Sequence, residues 1–338
     1  MGYRKNSRQL IHDHEVFSSS KILISKHYLS GFFFASMIIS LGSHGNTTVL
    51  YIDDQNLIAG PDLKENSHIG VKKLVYKKTP HGELILHIFN PKSAKKISDA
   101  PALVLFHGGG FKSGDPGQFY PQAKYLSQFG IVVISVQYRI KNTHGTERAH
   151  SVMDGKSALA WISDNAELLG IDRDKISVGG GSAGGFMAAV APISMKTIAN
   201  SDRDGNQVYE SEPSIESIKP AAAVLYNPGF GVNLKSYKNF NEWKSESIFS
   251  GLDKNYPPTL ILLGTDDWLT SESLAKLFCA QLREKKIRCD IVMYRDQKHG
   301  FFNSRRNLFD TTKRVENFLR DLNLISNDWG THDLSEKL

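Results

Sequence analysis

Apolar residues along most of this chain come in short unbroken runs rather than in alternation. Such runs occupy residues 102–106, 131–136, 176–178, 222–225, 259–263 and 289–293. A strand that is apolar on both faces suits a parallel sheet covered on both sides. Between the runs the spacing turns helical. Residues 151–169 place Val152, Ala158, Leu159 and Ile162 on one face, and residues 271–286 place Leu274, Leu277, Phe278 and Leu282 on one stripe. Ser271 or Thr270 stands where an N-cap belongs. Residues 307–324 predict a closing helix. Upstream, residues 71–77 and 84–89 flank His81-Gly82, the pattern of a hairpin. Strand and helix in alternation predict a doubly wound, mostly parallel α/β sheet. The polar stretch 201–219 reads as a surface loop. Residues 233–258 join two strands without a pattern and are the expected small cap over a site. No internal repeat and no low-complexity tract occurs.

The first 45 residues differ from the rest. Residues 28–41 carry no charge, but the run is shorter than the roughly 20 apolar residues of a spanning helix. Basic residues precede it, and the small residues Ser40, Gly42 and Ser43 follow it. This is the layout of a secretory signal peptide. A short membrane anchor or a buried N-terminal helix is the alternative. The expected organisation is therefore a leader at 1–45 and one domain at 46–338, secreted or periplasmic. No integral span is expected in the mature chain.

Composition narrows the function. The chain has 338 residues, 40% hydrophobic and 22% charged, which excludes a disordered, collagen-like or coiled-coil chain. Lys and Arg number 41 against 35 Asp and Glu, a net +6. The leader holds five basic and two acidic residues, so half of that charge lies there. No basic stripe interleaved with aromatics remains, and no nucleic-acid partner is expected. The two cysteines, Cys279 and Cys289, make no disulfide framework; two buried thiols are expected, with a bridge between them as the alternative in an exported protein. No CxxC or HExxH occurs, so neither of these zinc signatures is present.

The strongest chemical signal is Gly180-Gly181-Ser182-Ala183-Gly184, a Gly-x-Ser-x-Gly between a predicted strand and a helical run. A serine on such a sharp turn is thrust up at the carboxyl edge of the sheet, with a helix N-terminus beneath the reacting oxygen. The bland alternative is a small-residue turn that packs helix on strand. Gly-x-Gly-x-x-Gly also occurs at 179–184, but a nucleotide site leaves the serine unexplained. The second signal is His107-Gly108-Gly109-Gly110, directly after a strand. Three glycines leave backbone N–H groups open to an oxygen that gains charge in a tetrahedral intermediate. A phosphate loop is the alternative, but no Lys-Ser/Thr pair follows as in a P-loop.

With both motifs in place, the chain resembles the α/β-hydrolase superfamily over about residues 70–325. Within it, the HGGG-type esterase and lipase group is the nearest resemblance. That group includes hormone-sensitive-lipase-like carboxylesterases and bacterial acetyl-xylan and feruloyl esterases. The resemblance implies a triad in the order Ser, Asp/Glu, His. Ser182 is then the nucleophile. The turn Gly264-Thr265-Asp266-Asp267 places the acid at Asp267, with Asp266 as the alternative, and Lys298-His299-Gly300-Phe301 makes His299 the base. Gly109, Gly110 and Ala183 are the implied oxyanion donors, and neither metal nor organic cofactor is implied. His107 is expected to anchor its loop, and Tyr138-Arg139 to tie a strand end to it. Phe111, Phe119, Tyr120 and Trp268 are candidates for a pocket wall. Sequences with this loop and a stretch like Gln118–Phe119–Tyr120–Pro121 often act on acetylated polysaccharides. A small ester or acylated carbohydrate is the implied partner. A prolyl-oligopeptidase-like peptidase is disfavoured by the short stretch before the first strand. A non-catalytic binding module is disfavoured because every triad position is filled.

Overall fold

The computed structural model describes residues 48–91, 99–193, 219–230 and 248–325. Nine strands form one sheet in the order β1-β9-β8-β7-β6-β4-β5-β3-β2. They are β1 (Val49–Ile52), β2 (Lys72–Thr79), β3 (Gly82–Phe89), β4 (Ala100–Phe106), β5 (Val132–Val136), β6 (Ile171–Gly181), β7 (Ala223–Tyr226), β8 (Thr259–Gly264) and β9 (Cys289–Tyr294). Neighbours from β1 to β5 pair in parallel, and only β3 pairs antiparallel on both sides. The mostly parallel α/β prediction stands. The unalternating runs are buried throughout, as β4, β5 and β8 show.

Helices cover both faces. Among the described residues, the helices longer than one turn are α1 (Tyr120–Leu126), α2 (Arg148–Asp164), α3 (Ala183–Val190), α4 (Glu272–Glu284) and α5 (Arg305–Asp321). Odd and even positions of β4 separate two cores. Val104 and Phe106 share one core with Leu159, Phe186 and Phe278 of α2, α3 and α4. Leu103 and Leu105 share the other with Leu126 of α1 and Phe318 of α5. The period of two along a strand therefore builds a core on each side of the sheet. Ser271 is the N-cap of α4, its side chain accepting from the Leu274 N–H.

Four features depart from the sequence reading. The pattern over 151–169 is two helices, because the chain leaves α2 at Asn165 before a turn of helix over Ala166–Leu169. Strand β1 is too short to carry a periodic signal. It forms by pairing beside β9, with Tyr51 opposite Met293. Helix α1 was also not anticipated; it places Ala123 and Leu126 in the core, and its Pro121 sits in the first turn, where a missing N–H costs nothing. The expectation of two thiols is corrected. Cys279 and Cys289 form a disulfide, because α4 turns back into β9 and leaves their Cα atoms 5.2 Å apart. The leader, the 201–219 loop except Lys219, and residues 233–247 of the expected cap lie outside the described residues.

A buried ion pair fixes the chain beyond β5. Arg139 and Asp154 have fully buried side chains. The guanidinium donates from Nε and Nη2 to the two carboxylate oxygens, each at 2.8 Å, and Arg139 N–H adds a third bond at 3.0 Å. Lys77 Nζ donates to the same carboxylate at 2.8 Å. Next to it, Tyr138 Oη donates to His107 O at 2.6 Å. The Tyr138 ring stacks on His107 at 4.1 Å, and His107 Nδ1 donates to Gly108 O at 2.8 Å. The expected tie between strand end and glycine loop is thus a built contact.

Removing one partner of a buried pair strands the other, at a typical cost of about 3–5 kcal/mol. Asp154→Asn is expected to lower stability by that order in urea unfolding. A loss under about 1 kcal/mol would show the pair to be dispensable. Acid sensitivity follows from two histidines. Burial, with Lys73's charge adding to it, pushes His87 down to about 4, and burial pushes His107 down to about 4. Both rings are neutral in the fold, whereas the unfolded chain takes up these protons near pH 6.5. Stability is therefore expected to fall as pH drops from 6.5 toward 4, with uptake of up to about two protons on unfolding. His87→Gln should flatten part of that slope. A urea midpoint that is constant or rises on acidification over this range refutes the argument.

Candidate active site

Strand β6 ends at Gly181, and α3 begins at Ala183. Ser182 makes the whole turn, with φ 55° and ψ −114°. An L-residue in that region costs of the order of 1–3 kcal/mol and persists only where neighbours enforce it. Here Ser182 N–H donates to Tyr226 O at 3.0 Å, and Ser182 O accepts from Phe186 N–H at 3.0 Å and Gly229 N–H at 2.8 Å. Close approach completes the restraint. A Cβ on Gly184 would lie 1.9 Å from Phe106 O, so only glycine lets α3 start against the end of β4. The sharp-turn prediction therefore has a physical basis in two adjacent strands.

Two further strand ends supply partners. His299, on the loop after β9, has Nε2 2.8 Å from Ser182 Oγ. Its Nδ1 lies 2.8 Å from Asp267 Oδ2, on the turn after β8. The other Asp267 oxygen accepts from the N–H groups of Leu269 at 2.8 Å and Thr270 at 3.0 Å. The Asp267 side chain is fully buried, whereas Asp266 is exposed. The structure thus separates the two aspartates left open by the sequence. Phe301 and Phe302 anchor the histidine loop. Phe301 packs on Tyr294 at 4.6 Å, and Phe302 packs on Tyr226 at 4.9 Å and Phe119 at 5.6 Å.

The glycine loop lies opposite. Gly109 adopts φ 123° and Gly110 φ 64°, and a Cβ on Gly109 would meet Ser113 O at 2.0 Å. Gly109 O accepts from the N–H groups of Lys112 and Ser113, which curls the loop. Among the described residues, no acceptor faces the N–H of Gly109 or Gly110. Ala183 N–H is the first of α3 and has no intrahelical partner. All three residues line one cavity of about 480 Å³ with Ser182 and His299.

The structure brings together every residue singled out for the chemistry. It sorts the aromatic candidates: Phe111 and Trp268 line the cavity. Phe119 is core, and Tyr120 is bonded to His87. The roles of two residues escaped sequence reading. Gln118 Oε1 accepts from Gly108 N–H at 2.6 Å and so fixes the glycine loop. Asn227 is buried after β7, with its side-chain nitrogen 3.4 Å from His299 Nε2. Its signal is only a polar residue before a proline at a strand end. Among the described residues, no group of three or more His, Cys, Asp and Glu side chains is placed to hold a metal ion, and no helix is long and apolar enough to cross a membrane.

Known proteins are similar to this chain in sequence and fold. Residues 86–228 match the family described as BD-FAE, and residues 214–323 match the prolyl oligopeptidase family. Esterase LipQ of Mycobacterium tuberculosis is 28% identical over 208 residues, which cover 55% of this chain and 46% of that protein. Lipase 2 of a Moraxella species is 26% identical over 62% of this chain and 57% of its own length. The chain thus spans about half the length of these curated relatives. A solved thermophilic esterase from Thermogutta terrifontis, with propionate bound, superposes with a TM-score of 0.64 at 28% identity, covering 79% of this chain and 97% of that one. The same organism's esterase 2, phosphorylated by paraoxon, gives a TM-score of 0.62 at 30% identity over 76% and 96% of the two chains. Sheet order, motifs and relatives agree: the chain belongs to the α/β-hydrolase superfamily, in its HGGG-type esterase group.

Proposed function

We propose that this protein is a serine carboxylesterase acting on short-chain acyl esters, with acetyl groups on carbohydrates as the preferred substrate. The observation that carries the reading is the unbroken run of two 2.8 Å hydrogen bonds from Ser182 through His299 to Asp267. Beside it, Gly109, Gly110 and Ala183 line the same cavity. His299 Nε2 takes the Ser182 proton as Oγ attacks the ester carbonyl carbon. Asp267 holds the Nδ1–H tautomer and stabilises the imidazolium. The carbonyl oxygen gains charge and is held by the N–H groups of Gly109, Gly110 and Ala183, each donor lowering the barrier by about 3 kcal/mol. The tetrahedral intermediate collapses, and the C–O bond to the alcohol breaks. The leaving oxygen receives the proton from His299. Water, deprotonated by His299, then attacks the acyl-enzyme, releasing the acid and restoring Ser182.

The short acyl preference draws on the esterase solved with propionate and with butyrate. The carbohydrate preference draws on the motif resemblance. Residues 1–45 are read as an export leader ahead of one domain at 46–338. A disulfide at Cys279–Cys289 accords with an oxidising compartment. A second reading, a serine peptidase, has the family match over residues 214–323 in its favour.

Hydrolysis of p-nitrophenyl acetate, butyrate and octanoate is the direct test. The wild type is expected to prefer acetate, and Ser182→Ala to lose at least about 1,000-fold in kcat. Asp267→Asn should lose about 100- to 10,000-fold through the wrong histidine tautomer, while Asp266→Asn stays within about twofold. Equal losses at the two aspartates would sink the assignment, and peptide turnover without ester turnover would favour the peptidase. Chemical labelling gives an independent check. Paraoxon should inactivate the enzyme stoichiometrically, with one phosphoryl adduct on the peptide that contains Ser182 and none in Ser182→Ala. An adduct elsewhere, or unaffected activity, contradicts the nucleophile.

A further inference from the structure

The wall of the cavity beside His299 carries a group that the reaction above leaves unused. Trp268 lines the cavity with its side chain 77% exposed, the most exposed of the large hydrophobic residues described. Its ring lies 5.2 Å from the His299 imidazole, tilted at 55°. Its backbone is not free to swing. Asp267 on one side is buried, and Leu269 on the other donates its N–H to Asp267 Oδ1 at 2.8 Å. The turn closes with Thr270, which donates to the same oxygen at 3.0 Å and whose hydroxyl donates to Pro228 O. The turn that bears Asp267 therefore fixes the backbone from which the indole projects beside His299.

The chemistry says which half of the substrate meets that indole. The acyl oxygen must point at Gly109, Gly110 and Ala183, and the leaving oxygen must come within hydrogen-bond reach of His299 Nε2. What is attached to the leaving oxygen then extends along the His299 wall, toward Trp268. A flat aromatic face held in water suits a ligand with a flat apolar face of its own, because stacking removes both from water with little loss of conformational entropy.

We propose that Trp268 forms a leaving-group subsite that selects esters whose alcohol carries a flat ring face, either a sugar ring or an arene. The inference rests on the esterase reading and deepens it: Trp268 sets alcohol specificity and leaves acyl-length specificity to the rest of the cavity.

The test compares kcat/KM for phenyl acetate, methyl 6-O-acetyl-glucoside and ethyl acetate in wild type, Trp268→Ala and Trp268→Phe. This ratio reports steps up to departure of the alcohol. Trp268→Ala is expected to lose about tenfold on the ring alcohols and no more than about twofold on ethyl acetate. Trp268→Phe should recover most of the loss, and the acetate-to-butyrate ratio with p-nitrophenol as alcohol should hold. A loss on phenyl acetate alone assigns an arene as occupant, and a loss on the glucoside alone assigns a sugar ring. Equal losses on all three esters, or no loss on either ring alcohol, overturn the proposal. Those outcomes in an enzyme whose turnover vanishes in Ser182→Ala overturn this inference alone. Absence of any Ser182-dependent ester turnover overturns the esterase reading together with it.

Discussion

The strained backbone of Ser182 is the constraint on which the other parts depend. A residue at φ 55° and ψ −114° relaxes unless its surroundings forbid it. Three hydrogen bonds to Ser182 backbone atoms do so, one each from the ends of β7, α3 and the loop after β7. The glycine at 184 lets the helix close on β4. Those partners exist only because β6 lies between β4 and β7 in a parallel sheet. Parallel strands bring their carboxyl ends to one edge, so the turn, the glycine loop and the two later turns meet there. Strain at one residue is thus offset by a sheet of nine strands.

The glycine loop needs a support of a different kind. It has no side chains with which to pack, so its shape is imposed from below and beside. His107 enters the core and stacks on Tyr138, whose hydroxyl reaches back to the His107 carbonyl. Gln118 takes the Gly108 N–H, so that donor is already engaged. Behind Tyr138, the Arg139–Asp154 pair ties the end of β5 to α2. The carbonyls of Gly108 and Gly109 and the N–H of Gly108 are thus engaged within the fold. In the proposed reaction, the N–H groups of Gly109 and Gly110 would stabilise a developing charge without reorganising.

Sequence periodicity reveals what burial dictates and misses what pairing dictates. The unalternating runs locate β4, β5, β7, β8 and β9 because both faces of these strands are covered. Ser182 is legible for a related reason: it follows a buried strand and stands between glycines, whereas Asp267 and His299, on turns after buried strands, are legible through the family resemblance. Only the tail of β6 was visible, since residues 171–175 sit at the polar start of the strand. Strand β1 was invisible because its four residues gain order only from β9. The break at Asn165 leaves the apolar spacing nearly intact, so one helix and two look alike. Asn227 and Gln118 act through hydrogen bonds to distant partners, and no local pattern encodes a partner 72 or 10 residues away. The disulfide belongs with them, since two cysteines ten apart bond only if the helix between them returns to the right strand.

In the proposed reaction, Asp267 and His299 must keep to about half an ångström of their working geometry, so two separate turns must be placed against each other to that precision. They come from neighbouring strands, with Gly264 opposite Tyr294 in the ladder. Backbone bonds continue past the strands, from Thr265 N–H to Tyr294 O at 2.9 Å and from Asp266 N–H to Gln297 O at 3.1 Å. The crossover between them is α4, and its last turns are joined to the start of β9 by Cys279–Cys289. Closing a loop of that length stabilises a fold by about 2–3 kcal/mol through the unfolded chain. Here it acts inside the one connection that carries Asp267 at its beginning and His299 beyond its end. Placement of the pair is thus set by the ladder, by the bonds beyond it and by the bridged helix, rather than by the loops that bear the side chains.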